Sequence, residues 1–295
     1  MVNSPNECSL WRFLAAVGAF LIVAEAGLAQ SGDPQRESDY YRLVPVAIGT
    51  TISDSRADNW KPGDELALEV SGLAPYDDER IAVAIRKGEV WLVGGAYDDP
   101  PQSLTLHRFA TALHEPLGLL RRGGDLLTVQ RTEVTRLRDT DGDDVADEYL
   151  TVAKGWGVTG HYHEYAYGPK LDGNGDIWLT LNIGLGLKGE QLERTTTSGL
   201  GYRQGLWRGW GMRIDSAGTL LPMCAGMRSP SGLGANRDGQ MFYTDQQGNW
   251  VPTNSLHHMR TGVFFHHPEA LASMDDSGSP LSGIEDVPNG IPYPQ

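Results

Sequence analysis

Three stretches of this 295-residue chain carry side chains able to do chemistry. In Asp139-Thr140-Asp141-Gly142-Asp143-Asp144-Val145-Ala146-Asp147-Glu148, carboxylates fall at loop positions 1, 3, 5 and 9. Val145 can offer its carbonyl at position 7. That alternation turns oxygens inward around one hard cation of calcium size. The loop departs from an EF-hand: position 6 is Asp144 where that motif has Gly, position 12 is Leu150 where it has Glu, and no helical pattern brackets it. Asp139, Asp141, Asp143, Val145 and Asp147 are the ligand set to test, with Glu148 an alternative last ligand. The other reading is a solvated acidic hairpin; in both, the loop is structural rather than catalytic.

The second stretch is Gly160-His161-Tyr162-His163-Glu164-Tyr165-Ala166-Tyr167-Gly168-Pro169. If it is extended, His161 and His163 share one face and Tyr162 and Glu164 the other. Paired imidazoles suit a transition metal, and a single one suits general base work near neutral pH. His257, His258, His266 and His267 are further candidates. The third stretch is Gly226-Met227-Arg228-Ser229-Pro230-Ser231-Gly232-Leu233, where Pro and Gly fix a turn. Arg228 can present its planar fork to a carboxylate, or bond neighbouring carbonyls. Asp245 stands at the end of the strand that follows and is expected on an innermost strand facing the same axis.

These stretches need a scaffold, and the chain repeats one. Gly88-Glu89-Val90-Trp91-Leu92-Val93, Gly124-Asp125-Leu126-Leu127-Thr128-Val129, Gly175-Asp176-Ile177-Trp178-Leu179-Thr180 and Gly239-Gln240-Met241-Phe242-Tyr243-Thr244 each write a turn glycine, a polar residue and a buried strand. The copies lie 36, 51 and 64 residues apart, the spacing of multi-stranded repeats. This predicts an all-β fold, a β-propeller of the six-bladed type that is incomplete in this chain, with blades over 39–272. Ile81–Ile85 and Leu104–Phe109 are expected to flank the first phrase as strands. Tyr40–Ile48 is expected to begin the fold.

Residues 1–29 read as a secretory signal, with Arg12 before the apolar run Phe13–Val23 and small residues after it; a retained anchor is the alternative. Residues 30–38 then form a flexible linker, and 273–295 an irregular tail at a truncation point. The expected location is secreted or periplasmic. Removal of Cys8 with the signal leaves Cys224 alone, so no disulfide framework exists, and the absence of Cys-x-x-Cys-His excludes haem attachment within these residues. A net charge of −14 repels phosphate backbones, which argues against nucleic acid as a partner.

At two of these stretches the chain resembles the soluble glucose and sorbosone dehydrogenase family, six-bladed propellers that use pyrroloquinoline quinone (PQQ). The resemblance is carried by His163 with Tyr167-Gly168-Pro169 and Asp172-Gly173, by Gly226–Leu233 followed by Asp238-Gly239, and by Val263-Phe264-Phe265-His266-His267-Pro268. Asp39-Tyr40-Tyr41, His114–Leu119, Gly155–Val158 and Gly248–Val251 extend it towards the large secreted dehydrogenase-like proteins of planctomycete-type bacteria, in which helical and cytochrome domains follow the propeller. The resemblance implies His163 as base for a sugar or alcohol hydroxyl and Arg228 with Ser229 against PQQ, with a cytochrome partner or domain outside this chain. Ser229 replaces the family's Asn, and the family's later PQQ-gripping Lys and Arg have no counterpart. The rival expectation is a non-catalytic, calcium-stabilised propeller that binds a glycan or protein, or an inactive fragment.

Overall fold

The computed structural model describes residues 36–44, 69–101, 103–158, 163–184, 206–247, 252–273 and 278–281. The expected signal segment, His161 and Gly248–Val251 lie outside them. Residues 36–44 belong to a separate small unit. They make a 3-10 turn at Glu37–Asp39 and then an irregular run in which Tyr41 and Leu43 are exposed. Residues 40–44, where the fold was expected to begin, form no ladder with another strand among the described residues. The first described strand begins at Val70.

From there the chain folds as four successive antiparallel meanders. Sheet one is β1 (Val70–Pro75), β2 (Arg80–Ile85), β3 (Glu89–Gly94) and β4 (Thr105–Ala110). Sheet two is β5 (Leu119–Arg122), β6 (Asp125–Val129), β7 (Glu133–Arg138) and β8 (Glu148–Lys154). Sheet three is β9 (Ala166–Leu171), β10 (Ile177–Leu181), β11 (Trp210–Ile214) and β12 (Leu220–Ala225). Sheet four holds β13 (Gly232–Ala235), β14 (Met241–Asp245) and β15 (Ser255–His258) among the described residues. The first strands stand side by side, β1 by β5, β5 by β9 and β9 by β13, so each meander runs outward from a shared centre. This is a β-propeller arrangement with four blades described.

Strand periodicity explains why the sheets stack face to face. Adjacent residues on a strand point to opposite faces, and both faces of the middle sheets are buried. Leu126 packs into the core between sheets one and two with Ala84, Leu92, Phe109 and Leu137. Its neighbour Leu127 packs into the core between sheets two and three with Val129, Leu179, Trp210 and Met212. Trp178 does the same one blade on, meeting Met223, Met241, Tyr243 and Met259. Truncating one such fully buried Leu to Ala costs about 2–5 kcal/mol.

The repeated phrase is placed differently from the expectation in one respect. Its second, third and fourth copies are β6, β10 and β14, each the second strand of its blade, but the first copy is β3, a third strand. The second strand of blade one is β2, entered from Asp77 rather than from a glycine. The phrase encodes a turn and a buried strand, and any hairpin of a meander satisfies it. Asp77, Asp172 and Asn236 enter the first hairpins of blades one, three and four by the same device. Oδ1 of Asp172 accepts from the amides of Asn174 and Asp176, and Oδ1 of Asn236 from those of Asp238 and Gln240. Blade two uses Gly123 and Gly124 instead, both at positive φ (61° and 97°). The expected flanking strands around β3 are β2 and β4.

At the centre the backbones touch. A Cβ on Gly72 would lie 2.5 Å from the Gly118 backbone, and one on Gly118 would overlap the Gly168 carbonyl oxygen. Gly118 is also held at φ 122°. Leu281, in the expected tail, is buried in the core between sheets two and three. We expect Gly118→Ala to lower unfolding stability by about 2–4 kcal/mol in urea titrations. Gly234→Ala, which meets open space at ordinary φ, should change it by less than about 1 kcal/mol.

Candidate functional site

In each meander the start of the first strand and the end of the second lie at one end of the sheet. At that end blades three and four bring together the entry His163–Tyr165 to β9, the exit Asn182–Gly184 from β10, the entry Met227–Ser231 to β13 and the exit at Asp245 from β14. Asn182, 5% exposed, joins them. Its Nδ2 donates to the His163 carbonyl (2.6 Å), its Oδ1 accepts from the Ser229 hydroxyl (3.2 Å), and its amide donates to the Tyr165 carbonyl (3.0 Å). The next amide, of Ile183, donates to the Arg228 carbonyl (3.0 Å). Asp245 fixes the other side, its two carboxylate oxygens accepting from the Arg228 and Ser229 amides (2.8 and 2.7 Å). Burial raises the Tyr167 phenol's pKa above its usual value, with the Ser229 side chain beside it pulling the other way.

The charges at this end are mostly compensated. Glu115 bridges Arg86 and Arg131, and Arg86 also reaches Glu69. The Arg131 guanidinium lies over the Tyr165 ring, 4.9 Å from its centroid. Arg208 donates to the carbonyls of Gly157 and Tyr165 (2.7 and 2.8 Å). Burial pushes its pKa down to about 10, against the pull of the buried Glu164 carboxylate. Arg228 is the exception: half-buried, it forms no ion pair with a carboxylate among the described residues. Its field and, more strongly, burial hold the His267 imidazole down to about 4. His267 is carried by a strained turn, with His266 at φ 80° and the His267 amide donating to the Gly226 carbonyl (3.1 Å).

The three family-implied residues, His163, Arg228 and Ser229, thus converge on one end of the blades. They do so from loops: His163 is an exposed turn residue three positions before β9, not a strand residue, and its expected companion His161 lies outside the described residues. The departure has a local cause, since the His163 carbonyl is taken by the Tyr165 amide and by Asn182 in a tight turn. Asp245 reaches the site from β14, one strand out from β13, rather than from an innermost strand. Asn182, Tyr167, Glu164 with Arg208, and Glu115 with Arg131 were not singled out by composition or spacing. The usable signal for Asn182 was a lone amide directly after the buried run Trp178–Leu181.

The acidic loop lies at the other end of the sheets, between β7 and β8. Oxygens of Asp139, Asp141 and Asp147 fall within 4.8 Å of one another. Asp143 stands outside that group because its Oδ1 accepts from the Val145 amide (2.9 Å). Asp144 adopts φ 65°, the backbone shape for which an EF-hand uses Gly, and ties the loop to blade one through Arg80 (2.6 Å). Repulsion from Asp143 and Asp147 raises the Asp141 pKa, while bonds from Thr140 lower that of Asp147.

No family model matches the chain, and no curated protein matches it. Solved structures do resemble it at low identity. An oxidoreductase of Thermus thermophilus described as a glucose dehydrogenase is 18% identical, with 69% of this chain and 65% of that one covered and a TM-score of 0.49. The PQQ-bound aldose sugar dehydrogenase of Streptomyces coelicolor is 15% identical over 72% of this chain and 66% of that one, with a TM-score of 0.49. The PQQ domain of a Coprinopsis cinerea pyranose dehydrogenase is 11% identical over 66% and 48%, with a TM-score of 0.42. The chain thus spans less than two thirds of the length of each of these three.

His267 makes the fold sensitive to acid. Above pH 6.5 its ring is neutral folded or unfolded; between 6.5 and about 4 the unfolded chain binds a proton that the folded chain refuses. Stability attributable to this residue should therefore fall across that window and level off below it, by at most about 3 kcal/mol. Denaturant titrations from pH 8 to 4 on the wild type and His267→Gln check this: the variant's curve should be flatter between pH 6.5 and 4.

Proposed function

We propose that the chain is a secreted or periplasmic sugar-dehydrogenase-like propeller that oxidises an aldose or alcohol with PQQ. The observation that supports this most is the half-buried Arg228, without a carboxylate partner among the described residues, beside Asn182, Ser229 and Tyr167 at the end of the blades where His163 also stands. A guanidinium there suits a planar anion with carboxylates, since paired charge-assisted bonds contribute about 1.5–3 kcal/mol each. These residues fit one edge of such a cofactor: Arg228 would hold a carboxylate, and Ser229 would offer its hydroxyl to the polar rim. When bound, PQQ supplies a two-electron acceptor for the hydride of the substrate's carbinol carbon. His163, exposed at the same end of the blades, would take the hydroxyl proton on an imidazole nitrogen. Electrons would pass on to a cytochrome partner or domain outside this chain.

Expected results follow directly. With PQQ and calcium added, the purified chain should reduce an artificial dye in the presence of glucose or another aldose. His163→Ala should reduce kcat at least 100-fold with intact stability. Arg228→Ala should instead weaken PQQ binding about 10-fold or more. No dye reduction by the loaded wild type across aldoses and simple alcohols would overturn the reading.

A second role belongs to the acidic loop. We infer that it binds one calcium ion through Asp139, Asp141 and Asp147, which also fits a non-catalytic module that displays a face to a glycan or protein. In chelator, Asp141→Asn removes like-charge repulsion and should raise Tm slightly. In millimolar calcium the wild type should gain Tm and the variant should gain less. An identical calcium response in both proteins would eliminate the site.

A further inference from the structure

We infer that Asn182 is a positioning residue for the proposed oxidation, holding the turn that carries His163 in register with the turn that carries Arg228 and Ser229. The inference rests on that functional reading, but its geometry stands alone. Asn182 directly follows β10, whose five residues are all buried, so its backbone has little freedom to shift. All four of its polar groups are engaged. The side chain spans two blades, donating to the His163 carbonyl (2.6 Å) and accepting from the Ser229 hydroxyl (3.2 Å). The backbone is fixed within blade three, its amide donating to the Tyr165 carbonyl (3.0 Å) and its carbonyl accepting from the Gly209 amide (3.0 Å).

In the His163 turn the Tyr165 amide donates to the His163 carbonyl (2.8 Å), and that oxygen is also the one Asn182 holds. The Arg228–Ser229 turn is anchored to its own blade by Asp245. Blade three grips that turn through the Thr180 hydroxyl, which donates to the Pro230 carbonyl (2.7 Å), and through the Ile183 amide, which donates to the Arg228 carbonyl. The Asn182 side chain bonds both turns at once, the His163 carbonyl on one and the Ser229 hydroxyl on the other. A misplacement of about 1 Å between a base and the groups that orient substrate can cost roughly 100-fold in rate. Asn182 touches neither reacting atom in this arrangement; it acts through His163 and Ser229.

Two variants separate its halves. Asn182→Asp keeps the acceptor for Ser229 and loses the donor to His163, while Asn182→Ala loses both. The first measurement is amide hydrogen exchange on the unliganded chain. The Tyr165 amide should exchange at least 10-fold faster in both variants, with the Leu179 and Thr180 amides unchanged. The second is dye reduction with PQQ and glucose, where kcat should fall at least 10-fold while KM stays within about threefold and Tm within a few degrees. Unchanged Tyr165 exchange in Asn182→Ala would overturn the inference. So would a uniform rise in exchange across β9 and β10 with collapse of Tm in both variants, which marks a residue needed only for folding. If the wild type shows no activity with PQQ, the oxidoreductase reading fails and the exchange measurement alone decides whether Asn182 holds the turn.

Discussion

The arrangement depends on a contact that requires the absence of side chains: the close approach of the first strands of blades one to three at Gly72, Gly118 and Gly168. A methyl group at the first two would meet backbone atoms of the next blade. Without those contacts the sheets would stand farther apart at the centre, and the cores between them would open into voids. With them, Leu126 and Leu127, adjacent in sequence, each fill a different inter-blade space. The same closeness makes the site, because the loops entering β5, β9 and β13 emerge within hydrogen-bonding reach of one another. The Gly168 amide donates to the Leu117 carbonyl (3.1 Å), and the Ser71 hydroxyl donates to the Pro116 carbonyl (2.5 Å) at the same end.

The blade ends divide the work. At one end, hairpin turns are short, capped by Asp or Asn or shaped by glycine, and they lock neighbours directly: the Gly173 amide of blade three donates to the Gly239 carbonyl of blade four (3.0 Å). The acidic loop belongs to this end, tied to blade one through Arg80 and Tyr76. At the other end lie longer connections, strained residues such as Glu115 (φ 48°) and His266 (φ 80°), and the charged bridge Glu69–Arg86–Glu115–Arg131. Strain of this kind persists only where surrounding bonds over-determine it, and Glu115 is held by two guanidiniums. A calcium ion in the acidic loop would therefore stiffen the scaffold without meeting the proposed chemistry.

How much of this was legible in the residues differs by level. The all-β class and the propeller followed from glycine-led strand phrases, because each strand is buried on both faces and must be written as a continuous apolar run. The phase of the first repeat did not follow, since Gly88 opens the second hairpin of blade one while Asp77 opens the first, and a glycine and an Asx turn are interchangeable ways to start a strand. His163, Arg228 and Ser229 were legible as a set only through motif resemblance. Asn182 and Arg208 were not, because their partners lie 19 to 51 residues away and are mostly backbone carbonyls, which carry no sequence signature.

Backbone carbonyls as partners also bear on what this end of the molecule can bind. Asn182, Arg208 and Asp245 bond chiefly main-chain groups, so they shape the loops rather than face a ligand. The group left over is Arg228, whose amide and carbonyl are both bonded while its guanidinium has no carboxylate among the described residues. Fixing the backbone at both ends limits the arc through which that cation can swing, which reduces the entropy lost when it captures an anion. Glu115 and Glu164 meanwhile neutralise the neighbouring arginines. The result is a half-buried positive charge with no carboxylate partner among the described residues, on a chain that carries a net −14, which favours an anion at this turn.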